Sequence, residues 1–94
     1  MVLDPVARRA CLAGVDLGLL PREFAILLVL AERPGTFVTR DALREAVWGK
    51  VVHSSPNVIA VHLSRVRAKL GRGDVRITTR RGLGYRLDGV IARE

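Results

Sequence analysis

The sequence of 94 residues predicts an α+β domain: an N-terminal antiparallel sheet, three helices and a C-terminal β-hairpin. Three observations predict it. Val15-Asp-Leu-Gly-Leu19 alternates with a period of two, as a half-buried strand does. Later stretches repeat apolar residues at spacings of three and four, as amphipathic helices do. Two short β-prone runs, Val75 to Thr79 and Tyr85 to Leu87, then flank Arg80-Arg-Gly-Leu-Gly84, a turn sequence.

Arg8 to Leu12 reads as a short strand, with Cys11 as a small half-buried residue on it. Ala13-Gly14 is a turn, and Val15, Leu17 and Leu19 share one face of the next strand. Pro21 to Glu32 reads as the first helix. Its proline suits a first turn, where the missing N–H costs nothing, and Phe24, Leu27, Leu28 and Ala31 form its apolar stripe. Pro34-Gly35 ends it. Thr39 caps the second helix, Asp41 suits the positive end of its dipole, and Ala42, Leu43, Ala46 and Val47 face inward. Trp48-Gly49 stops it, and residues 50–54 form a loop. Ser55-Pro56 opens the third helix, which runs to Leu70. One domain is expected over 1–94: sheet 1–19, three-helix core 20–70 and hairpin 75–88.

Charge is the strongest functional signal. Arg65, Arg67, Lys69, Arg72, Arg76, Arg80, Arg81 and Arg86 face a single acid, Asp74, between Asn57 and Arg86. That segment carries the chain's whole net charge of +7, and the rest is neutral. A charge excess confined to one third of the chain points to a polyanionic partner. Other classes lack their chemistry. One cysteine and two separated histidines make neither a disulfide framework nor a metal site, so no metal or cofactor is expected. No apolar run approaches the ~20 residues of a membrane span. Met1 to Leu12 does not read as a signal peptide, and a cytoplasmic location is expected. Ser54, Ser55 and Ser64 have no catalytic partner set, so the chain does not read as an enzyme. Four aromatics are too few for stacking on single-stranded RNA.

The third helix carries two faces. Ile59, Leu63, Val66 and Leu70 fall on one side and form the buried stripe. Asn57, Val61, Ser64, Arg65 and Ala68 fall opposite, with Val58 beside them, His62 and Lys69 on one edge and Arg67 on the other. No acid lies between Asn57 and Leu70, whereas a solvated helix face usually mixes Glu with Lys. Small residues, Asn, Arg and methyl-bearing side chains suit the floor of a DNA major groove, with flanking cations near phosphates. The plainer alternative is that Val58 and Val61 pack on another part of the protein.

Gly82-Leu-Gly84 invites a nucleotide-loop reading and fails it. The third glycine position of that motif is Leu87, and no helix follows. The glycines are expected to supply positive φ in a turn that displays Arg80 and Arg81 at a hairpin tip. Such a tip can reach an adjacent minor groove, whose negative potential attracts arginine. Three helices and a hairpin, with the third helix polar outward, is a winged helix-turn-helix plan.

Four pieces then resemble one family. They are Leu20-Pro-Arg-Glu-Phe-Ala-Ile-Leu28, Val38-Thr-Arg-Asp-Ala-Leu43 with Val47-Trp-Gly49, Val61-His-Leu-Ser-Arg-Val-Arg-Ala-Lys-Leu70, and Ile77-Thr-Thr-Arg-Arg-Gly-Leu-Gly-Tyr-Arg86. In this order and spacing they resemble the DNA-binding effector domain of OmpR/PhoB-type response regulators, over roughly Leu3 to Leu87. The resemblance implies a four-stranded antiparallel N-terminal sheet and a recognition helix over Ser55 to Leu70. It implies base contacts from Val61 and Arg65, and base or phosphate contacts from Asn57, His62 and Arg67. Thr79 and Arg81 match wing positions, Arg81 as the minor-groove probe. Trp48 matches a tryptophan that either plugs the core or meets the DNA backbone. Together with the helix-face reading, Asn57, Val61, Ser64, Arg65, Thr79 and Arg81 are expected at bases, and Trp48, His62, Arg67, Lys69 and Arg80 at phosphates. The resemblance further implies direct-repeat DNA sites, head-to-tail pairs of the domain on DNA, and RNA polymerase contact through residues 50–54.

The sequence also departs from the family. Leu20 stands where a threonine usually caps the first helix, which removes a side-chain cap worth ~1 kcal/mol. Ala60 replaces a frequent acid, and Arg80 replaces an apolar or small residue. No phosphorylatable receiver domain is expected within these residues. The expected function is sequence-specific binding of double-stranded DNA in transcriptional control. The alternative is a winged-helix module that docks its basic face on an acidic protein.

Overall fold

The computed structural model describes residues 1–49 and 57–94. Three N-terminal strands come first: β1 (Val2–Asp4), β2 (Arg9–Leu12) and β3 (Val15–Asp16). Helices α1 (Pro21–Ala31), α2 (Arg40–Trp48) and α3 (Val58–Leu70) follow, then the hairpin β4 (Arg76–Arg80) and β5 (Gly84–Asp88), and last β6 (Ala92–Arg93). The expected opening of the third helix at Ser55-Pro56, and the loop 50–54, lie outside the described residues.

The fold class stands, and the sheet differs in one detail. Its order is β3-β2-β1-β6, so the fourth strand comes from the far end of the chain. β6 runs parallel to β1, with Val2 opposite Ala92 and Leu3 opposite Arg93, so the sheet is neither wholly N-terminal nor wholly antiparallel. The short β3 also ends before the alternating pattern does. The Asp16 carboxylate accepts the Gly18 N–H at 2.9 Å and turns the chain, which leaves Val15 exposed while Leu17 and Leu19 pack on the core.

The main core joins the helices to the hairpin: Ile26, Leu27, Leu30, Val38, Leu43, Ile59, Leu63, Val66, Leu70, Val75, Ile77 and Leu87. Leu3, Ala10 and Phe24 form a second cluster under the sheet. Each fully buried Leu or Ile contributes about 1.5–3 kcal/mol of transfer free energy. α1 touches α2, α3 and β5, so it is buried over more than the narrow stripe expected of it. Ile26 and Leu30 are fully buried, while Leu28 and Ala31 are only half-buried. On α2, Leu43 alone is deep. Ala42 and Val47 are half-buried, and Ala46, expected to face inward, is exposed.

The helix ends follow side-chain chemistry. The Thr39 hydroxyl accepts the Ala42 N–H at 3.1 Å, as its N-cap role requires. At α1 only half of a capping box is possible: Glu23 accepts the Leu20 N–H at 2.9 Å, and leucine returns nothing.

Candidate nucleic-acid interface

α3 buries the four residues that its periodicity selects, Ile59, Leu63, Val66 and Leu70. The same winding leaves Ala60, Val61, Ser64, Arg65 and Ala68 exposed. Val61 is 46% exposed, so it does not pack on another described part of the protein. Asn57 is exposed at the N-cap position, and its side chain does not cap the helix. Val58, by contrast, is half-buried against the main core, so the outer face consists of small residues and Val61 around Arg65, with no acid.

The flanks are more specialised. The His62 Nδ1 donates to the Val58 carbonyl oxygen at 2.8 Å, which leaves Nε2 as its second polar atom. The His62 and Trp48 rings meet in a T-shaped arrangement, with centroids 5.0 Å apart and planes at 79°. On α1, the Arg22 guanidinium lies 5.4 Å from the centroid of the same Trp48 ring. A cation over indole is attracted by the ring's negative face. Trp48 thus joins a ridge drawn from all three helices. Arg22 was not among the sequence-predicted site residues. Its one signal was a cation in the first turn of a helix, where the dipole favours an acid.

Two expected phosphate ligands have internal partners instead. The Lys69 ammonium donates to the Glu23 carboxylate at 2.6 Å and to the Gly18 carbonyl oxygen at 2.9 Å. Burial alone would raise the carboxyl pKa of fully buried Glu23. The hydrogen bonds from Lys69 and the Leu20 N–H, with the charges of Lys69 and Arg65, outweigh it and hold the group below its ordinary value. In the free domain the Lys69 charge is thus directed inward, with its side chain 31% exposed. Arg67 donates through Nε and Nη2 to the Ile77 carbonyl oxygen at 3.3 and 3.0 Å, and through Nη2 to the Thr79 hydroxyl. Arg67 and Thr79, expected at phosphate and base, are bonded to each other.

The wing is set by close backbone approach. Val38 and Tyr85 exchange N–H···O bonds of 2.7 and 2.9 Å, which tie β5 to the segment before α2. Gly84 lies beside this bridge with φ +115°, and a Cβ there would meet the Val38 carbonyl oxygen at 2.0 Å. Only glycine fits. Gly82, with φ +84°, turns the tip between the paired residues Arg80 and Gly84. The two glycines therefore have different tasks.

Phe37 organises the wing's cations. The guanidinium carbons of Arg86 and Arg80 lie 4.6 and 5.8 Å from its ring centroid. Arg86 also donates to Asp88 at 2.6 Å. Hydrogen bonds from Arg86, then from Thr78, hold the Asp88 carboxyl below its usual pKa despite some burial. Arg81 is exposed at the tip and has no hydrogen-bond or ion-pair partner among the described residues. Between the wing and the first turn of α2 lies a cleft of about 400 Å³, lined by Thr39, Arg40, Thr79, Arg80, Arg81 and Tyr85 among others. Among the described residues no metal-binding cluster occurs, and no helix is long and apolar enough to cross a membrane.

A sheet, three helices and a hairpin, with an acid-free third helix beside a basic wing, define a winged-helix domain of the OmpR/PhoB type. The chain belongs to the family described as transcriptional regulatory protein, C terminal, which matches residues 14–87. It is 37% identical over 86 residues to the response regulator protein PmrA of Pseudomonas aeruginosa, covering 92% of this chain. It spans 38% of that regulator's length. The DNA-binding domain of Klebsiella pneumoniae RstA, solved in complex with the RstA box, matches with a TM-score of 0.80 at 32% identity, over 92% of this chain and 88% of that one. The DNA-binding domain of CpxR from E. coli matches with a TM-score of 0.78 at 33% identity, over 96% and 88% of the two chains.

Proposed function

We propose that this chain binds double-stranded DNA sequence-specifically to regulate transcription, with α3 in the major groove and Arg81 in the adjacent minor groove. The observation that carries this reading is the outer face of α3, exposed and free of acid, with Arg65 among small side chains. Asn57, Val61, Ser64 and Arg65 meet base edges, and Arg81 probes the minor groove. Trp48, His62 and Arg80 approach phosphates. Arg22 joins them through its place over Trp48. The match to RstA, solved with its DNA box, supports DNA as the partner.

Finer parts of this reading rest on the family resemblance. They are direct-repeat sites, head-to-tail pairing on DNA, cytoplasmic action, and polymerase contact through residues 50–54, which lie outside the described residues. That residues 1–94 fold as one unit is supported by the pairing of β1 with β6.

Selection of bound duplexes from a random pool at near-physiological salt tests the reading. It expects an enriched motif, with repeats about one helical turn apart. A pool that stays random, at nonspecific affinities of ~10⁻⁴–10⁻⁶ M, refutes it and favours docking on an acidic protein.

A further inference from the structure

The bonds from Arg67 to β4 have a simple origin. β4 pairs with β5 on one edge, and its other edge has no strand partner among the described residues. The Ile77 carbonyl oxygen is met by the Arg67 guanidinium instead. Residues 77 and 79 lie on one face of the strand. The Ile77 side chain enters the core, and Thr79 stands one step further out, where its hydroxyl meets the same guanidinium. Buried Ile77 and Leu87 hold the base of the wing, and the Val38–Tyr85 bridge ties its β5 edge at the level of Thr79, which pairs with Tyr85, so that Arg67 supplies the matching tie on the β4 edge. Arg81 lies two residues past Thr79, so a tilt of β4 at Thr79 carries the tip with it.

We propose that Arg67 is a positioning residue, with Thr79 as its anchor. It fixes the wing against α3, so that Arg65 in one groove and Arg81 in the other meet DNA at a single spacing. The inference rests on the DNA-binding reading above and assigns these two residues a shared task in place of separate contacts. Thr79 then shapes sequence preference without reading a base.

The test uses Thr79→Val and Arg67→Met, singly and together, on the duplex that the unaltered protein selects. A·T pairs under the wing are exchanged for G·C. Thr79→Val removes the hydroxyl and no charge. Each single change should lower the wing-side A·T preference about two- to tenfold, the worth of one or two hydrogen bonds. The double variant should lose no more than the worse single one, because both break one link. Preference at the base read by Arg65 should stay, and Thr79→Val should leave the salt dependence unchanged.

The proposal is overturned if Thr79→Val keeps the wing-side preference while Arg67→Met weakens all duplexes alike and flattens the salt slope by about one. That result makes Arg67 a plain phosphate contact. Losses that add in the double variant also overturn it. Amide exchange at residues 80–84 of the free protein tests the brace apart from any DNA. Faster exchange in Thr79→Val supports it, and unchanged exchange overturns it, whatever becomes of the DNA-binding reading.

Discussion

Lys69, near the end of α3, donates to Glu23 in the first turn of α1 at 2.6 Å, across 46 residues of sequence. Glu23 is fully buried, its other carboxylate oxygen has no hydrogen-bond partner among the described residues, and the Lys69 side chain keeps 31% exposure. Removing the lysine leaves a buried charge uncompensated, which costs far more than losing a surface pair. Lys69→Met is expected to destabilise the domain by roughly 1–3 kcal/mol, discounted for the exposed side of the lysine, as measured by urea unfolding.

The same pair sets an acid limit. The Glu23 carboxyl lies below its ordinary 4.5 in the folded state, so its contribution to stability is present above that value. It is lost as pH falls through the lower, folded value. Unfolding midpoints of the unaltered protein should drop below about pH 4.5, more steeply than those of Glu23→Gln, whose amide cannot titrate. Parallel pH curves for the two proteins would disprove the linkage.

Arg65→Ala should cost on the order of 1–3 kcal/mol of binding on the selected duplex and relax preference at one base pair. Binding assays over all single-base variants of the site check it. An unchanged preference would remove α3 from the major groove.

The paired wing arginines should separate. Arg80→Ala is expected to weaken all duplexes about equally and to flatten the salt dependence. Arg81→Ala should chiefly lose A·T preference beside the main site. With Lys69, Arg67 and Arg86 engaged internally, the unaltered domain should neutralise about four or five phosphates, for a slope of log K against log salt of roughly −4. Titrations between low and moderate salt measure all three values.

Gly84→Ala would place a methyl against the Val38 carbonyl oxygen in a backbone conformation that alanine rarely adopts. A loss on the order of 3 kcal/mol is expected in denaturant unfolding, against a much smaller effect for an alanine at exposed Arg72.

The buried side of α3 could be read from the sequence because Ile59, Leu63, Val66 and Leu70 recur with the period of the helix itself. The Thr39 cap was readable for a different reason, since it acts within three residues. Lys69 and Arg67 were not. A long side chain ends where distant residues place its partner, and no spacing rule on α3 reveals Glu23 or Ile77. Gly84 was readable as a turn residue but not as the point where two backbones nearly touch, because Val38 is remote in sequence. Ala92-Arg93 carries no alternating pattern, so a two-residue strand there had no signal to find.

The parallel pairing of β6 with β1 has a kinetic consequence. The Ala92 N–H donates to the Met1 carbonyl oxygen at 2.8 Å, and the Met1 amino group donates to the Val90 carbonyl oxygen across 89 residues. Closing so long a loop is entropically costly, and a two-residue ladder with the half-buried Ile91 beside it is what rewards it. The helices and the hairpin can assemble from nearer contacts first. β6 should therefore dock last during folding and detach first in native fluctuations, as the clasp on a domain that is otherwise already shut.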